Sequence, residues 1–80
     1  MELKLFAIAA TRVGFIEATH NNAGWAISFK GKSSGQVACS NRTGATRHWR
    51  NMDTLIRQLR KAGYRGRLIV PVDAQQELIG

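Results

Sequence analysis

The sequence is short of cysteine, proline, acids and long apolar runs, and each shortage excludes something. Cys39 is the single cysteine, so no internal disulfide can form. A lone thiol fits a reducing compartment, and a soluble cytoplasmic protein is the expectation. The longest apolar run, Leu3–Ala10, is interrupted by Lys4 and is far too short to span a bilayer. The N-terminus does not read as a signal peptide. Pro71 is the single proline. Lacking an N–H, it puts a strand over Leu68–Val72 at a sheet edge or ends it there. His20, His48 and Cys39 are too scattered for a zinc site, so no metal, cofactor or catalytic group is expected. Gly31-Lys32-Ser33 lacks the upstream glycine and following helix of a phosphate-binding loop. Asn41-Arg42-Thr43 matches a glycosylation acceptor without any sign of secretion.

Acids number five against twelve lysines and arginines, and the imbalance is local. The stretch 41–67 holds eight of the bases and one acid, Asp53, a formal +7. Elsewhere Lys4, Arg12, Lys30 and Lys32 are cancelled by Glu2, Glu17, Asp73 and Glu77. The whole excess charge therefore lies in about a third of the chain, which points to a polyanion partner.

At 80 residues and 44% hydrophobic content, the chain fits one globular domain spanning 1–80. So short a chain buries only about 60% of its unfolded surface, so a homodimer would supply useful extra burial. Leu3–Ala10 has apolar residues at both parities; a short helix is the alternative, since Ala and Leu favour one, but a strand covered on both faces is preferred because Thr11–Gly14 makes a natural break after it. Gly14–Thr19 is a second strand, followed by a turn rich in Asn and Gly. Trp25–Lys30 is the clearest strand, with Trp25, Ile27 and Phe29 on one face and Ala26, Ser28 and Lys30 on the other. Gln36–Ser40 returns beside it, and Arg47–Arg50 is a short extended piece leading into a helix.

That helix has Asn51 as N-cap, Asp53 in its first turn and an apolar stripe of Met52, Leu55, Ile56, Leu59 and Ala62. Gly63 suits the left-handed position that ends a helix, with Tyr64 folding back on Leu59. The expected order is β-β-β-β-α-β. It implies an α+β fold: an antiparallel sheet of three to five strands, packed on one face by a single helix. The acidic tail 73–80 would fray, or dock Leu78 and Ile79 on a partner.

The expected function is nucleic-acid binding without catalysis, DNA favoured over RNA. Arg42, Arg47, Arg50, Arg57, Arg60, Lys61, Arg65 and Arg67 would form the electrostatic footprint, because the guanidinium fork suits phosphate. Asn51 and Gln58 could read base edges. Trp49, amid Arg47, His48 and Arg50, is either a base-stacking residue or part of the core. One rival is a protein-interaction module (an antitoxin, inhibitor or assembly factor) whose basic face meets an acidic partner. A weaker one is a small nuclease using His48 and His20. The order of strands followed by a helix resembles small DNA-binding modules such as the arm-binding domains of phage integrases. Those read DNA with the sheet, whereas Ala26, Ser28 and Lys30 make a nearly neutral face. Size and charge would suit an accessory protein of a mobile element.

Overall fold

The structure is a computed structural model that describes residues 1–31 and 35–71. Lys32 and the tail 73–80 lie outside the described residues. The elements are α1 (Leu3–Val13), β1 (Phe15–Asn21), β2 (Gly24–Gly31), β3 (Gly35–Ala38), α2 (Met52–Lys61) and β4 (Arg67–Ile69). The fold is α+β, with one four-stranded sheet in the order β3-β2-β1-β4.

The expected order is corrected at its start: the chain runs α-β-β-β-α-β, with two helices rather than one. Leu3–Ala10 is helical. Phe6, Ala7 and Ala10 are buried at helical spacing, while Leu5 and Ile8 are 61% and 51% exposed. An apolar residue on the outer face of a helix fills the gaps in the stripe, and the pattern then resembles a buried strand. Alanine and leucine nevertheless favour the helix. Gly14, at φ 99°, ends it by donating its N–H to the Ala10 carbonyl at 2.8 Å.

The sheet is mixed, which corrects the antiparallel expectation. β1–β2 and β2–β3 are antiparallel, but β4 runs parallel to β1, pairing Ile16 with Leu68. After β3 the chain reaches the Trp25 end of β2 through the Trp25–Trp49 bridge. α2 then carries it to the Gly14 end. There the Arg67 N–H donates to the Gly14 carbonyl at 3.0 Å, and β4 starts level with Phe15. β4 lies at the sheet edge.

α2 follows its local signals. The Asn51 side chain accepts from the Thr54 N–H at 2.9 Å, and Asp53 sits in the first turn. At the other end Gly63 (φ 98°) donates to the Arg60 carbonyl and Tyr64 to the Leu59 carbonyl, both at 3.0 Å. This reciprocal pair is a Schellman closure, and it brings Tyr64 into the core.

One core joins the layers: Phe6, Ala7 and Ala10 from α1, Ile16 and Ala18 from β1, Trp25, Ile27 and Phe29 from β2, Leu55 and Leu59 from α2, with Cys39, Trp49 and Tyr64. The Phe6 and Phe29 rings meet at 5.0 Å with a 55° tilt, within the centroid range that aromatic pairs favour. Glu17, Thr19, Lys30, Gln36 and Ala38 of the sheet remain exposed. Among the described residues no helix is long and apolar enough to cross a membrane.

Candidate nucleic-acid interface

The buried stripe of α2 fixes which of its residues reach solvent. With Leu55 and Leu59 in the core, Asp53, Arg57, Arg60 and Lys61 fall on the exposed side. Arg57, Arg60 and Lys61 share that side because three- and four-residue spacings line up on a helix. Arg60 and Lys61 also occupy the last turn, where the helix dipole favours cations.

The segment before α2 is extended and hydrogen-bonded to the sheet. The Arg47 N–H donates to the Cys39 carbonyl at 3.0 Å. Trp25 and Trp49 exchange both backbone bonds, at 2.7 and 2.9 Å. Gly24 permits this approach. Its φ is +120°, and a Cβ there would stand 2.5 Å from the Trp49 carbonyl oxygen. The backbone alternation sends Trp49 inward, where it is 5% exposed. The stacking role considered for Trp49 is corrected by this burial: the ring is core.

Gln58 is also committed. Its side-chain carbonyl accepts from Trp49 Nε1 and from Arg47 Nη2, each at 2.9 Å. The Arg47 guanidinium carbon lies 4.9 Å from the Trp49 ring centre, a cation–π contact. Gln58 is therefore a bracket between α2 and the preceding segment. Asn51 is likewise engaged as the N-cap. Both residues singled out as base readers have structural work in this fold.

The eight cations of 41–67 do not form one compact patch. Arg50 borders a hollow with His20 and the Asn21–Gly24 turn, at one end of β1. Arg67 pairs with Phe15 at the other end, about 20 Å away at 3.3 Å per strand residue. Between these ends Arg57, Arg60 and Lys61 follow α2, about 15 Å long at 1.5 Å per residue. Arg65 is exposed just past the helix, its Nη1 donating to the Tyr64 carbonyl at 3.3 Å. Arg42 is exposed in the turn after Ser40, and Arg47 is half-buried. Arg50, Arg57, Arg60, Lys61 and Arg65 thus follow α2 and its two ends, Arg67 lies on β4 of the sheet, and Arg42 and Arg47 form a side branch. Lys4, in the electrically neutral part of the sequence, joins that branch: it borders one hollow with Arg42 and Arg47 and another with Lys61. Nothing in the sequence signals this, because it depends on how α1 docks.

The histidines are separated by the sheet. His20 lies on the Trp25 side, its ring 4.7 Å from the indole. His48 borders a groove with Thr19, Ser28 and Gln36 on the opposite face. Cys39 is buried, and burial holds its thiol above the ordinary range, partly offset by Arg47 and the N-terminal amino group. No family model, no curated protein and no solved structure matches the chain.

Proposed function

We propose that this protein binds nucleic acid, DNA in preference to RNA, by laying the exposed side of α2 and the loop before it along phosphates. The observation that carries the reading is the exposure of Arg57, Arg60 and Lys61 on one side of α2, extended by Arg50 and Arg65 at its ends. A duplex presents one charge per ~1.7 Å of axis, so a track of this length faces several phosphates at once. Burial of Trp49 removes the ring best placed for stacking on unpaired bases, which favours a duplex. With Gln58 and Asn51 engaged internally, phosphate contacts rather than base contacts supply most of the affinity. No reaction belongs to this reading. Self-association does: Leu5 and Ile8 give α1 an exposed apolar side that a second copy could cover.

The test is retention of labelled duplex DNA, single-stranded DNA and RNA at two salt concentrations, beside an Arg57→Ala/Arg60→Ala/Lys61→Ala variant. Duplex binding should fall steeply with salt, and the variant should lower both the affinity and the slope. If no nucleic acid is retained even at low salt, the reading fails, and a basic face meeting an acidic protein takes its place.

A further inference from the structure

α1 begins against the loop that follows β3. The Ser40 N–H donates to the Met1 carbonyl at 2.8 Å. A hollow of about 290 Å³ lies there, lined by Lys4, Ser40, Asn41, Arg42 and Arg47, with Glu2 and Leu3 completing the wall. Leu3 and Lys4 also border a second hollow with Gln58, Lys61 and Ala62. Cations from three separate stretches of chain, Lys4, Arg42 with Arg47, and Lys61, thus gather around the first turn of α1. Glu2 is the only acid among the residues lining these two hollows.

One of these side chains, Arg47, is held in place by the protein itself, and a second, Arg42, springs from a fixed backbone turn. Arg47 donates one Nη2 bond to Gln58 and lies over Trp49, so its remaining N–H donors are those it can offer to the hollow it borders. Arg42 rides on a closed turn, in which the Asn41 N–H donates to the Ala45 carbonyl at 2.9 Å and the Thr43 N–H to Asn41 Oδ1 at 3.1 Å. A fork that is already positioned gives up less freedom on meeting an anion.

We propose that Lys4, Arg42 and Arg47 form a seat for a single phosphate group, with Lys61 flanking it. That this phosphate is a phosphodiester of DNA rests on the function proposed above. The chemistry is a guanidinium fork and an ammonium converging on one tetrahedral anion. The seat sits beside the α2 track and fixes how a nucleic acid strand crosses it, as phosphate contacts set register without reading sequence.

The experiment uses the whole ¹⁵N-labelled chain, titrated with inorganic pyrophosphate and followed through backbone amide and arginine Nε shifts. Duplex retention is measured in parallel. Lys4→Ala and Arg42→Ala alter exposed side chains, and Arg57→Ala/Arg60→Ala serves as a control away from the seat. Pyrophosphate should move the signals of residues 4, 40–42 and 47. Each seat variant should weaken pyrophosphate binding severalfold and lower the duplex salt slope by about one. The control should leave pyrophosphate binding unchanged. Absent shifts, shifts elsewhere, or seat variants that bind pyrophosphate as the parent does would overturn the seat. Pyrophosphate binding without duplex retention keeps the seat and retires DNA. Duplex retention with no pyrophosphate response keeps the α2 track and retires the seat.

Discussion

Trp49 Nε1 donates to the Gln58 side-chain carbonyl at 2.9 Å, across nine residues and the start of a helix. The bond ties α2 to the extended segment before it and makes Arg47 part of the same bracket.

Replacing Gln58 with leucine should therefore reduce stability. The variant leaves a buried indole N–H without its acceptor, at a cost of about 1–3 kcal/mol. Gln58→Glu keeps an acceptor for both donors and should recover most of that loss. Urea denaturation of the three proteins checks this. A base-reading role for Gln58 would instead leave stability alone and change only which DNA sequences are preferred.

Gly24→Ala should be among the most damaging single changes. The added methyl group would meet the Trp49 carbonyl at 2.5 Å, in a backbone conformation that L residues avoid. Either strain remains or the Trp25–Trp49 bridge opens. A loss of about 2 kcal/mol or more is expected. Hydrogen exchange at the Trp25 and Trp49 amides would report which occurs, and unchanged protection with unchanged stability would contradict the argument.

Sequence periodicity found α2 because three independent signals coincide there: the N-cap Asn51, the stripe through Leu55 and Leu59, and Gly63 at the end. It found β2 because Trp25, Ile27 and Phe29 alternate with smaller or polar residues. It missed α1 because Leu5 and Ile8, exposed on the solvent side, fill the gaps between Phe6, Ala7 and Ala10 and blur the helical period. The direction of β4 was not legible, since only the length and landing of α2 set it. For the basic surface, the charge run was plain, but its division between a track and a side branch was not. Lys4 reaches that branch through α1 docking, and Gln58 leaves the list of free side chains through a partner outside its own helix.

Stability should decline above about pH 8.5. Burial raises the Cys39 thiol and the Tyr64 phenol above their ordinary values. The folded state thus keeps protons that the unfolded chain releases, and stability falls with rising pH. This contribution is fully present below the unfolded values, about 8.5 and 10. It is lost as pH climbs through the folded ones. Cys39→Ala should flatten the earlier part of the decline, and chemical denaturation at a series of alkaline pH values measures it. A decline that Cys39→Ala leaves unaltered would count against the thiol.

Leu5→Asp/Ile8→Asp should abolish any self-association and leave the fold intact, because both side chains point to solvent. Sedimentation over a range of concentrations distinguishes the parent from the variant. A parent that stays monomeric throughout would remove the second copy from the functional reading.

The bridge between Trp25 and Trp49 places both tryptophans of the chain at one junction. Fluorescence emission is consequently a gauge of a single place: whether the stretch ahead of α2 is clasped to β2. Iodide quenching, a spectral shift or a change in lifetime would each register the opening of that clasp. The protein thus carries its own optical probe, sited beside the arginine that the phosphate seat depends on.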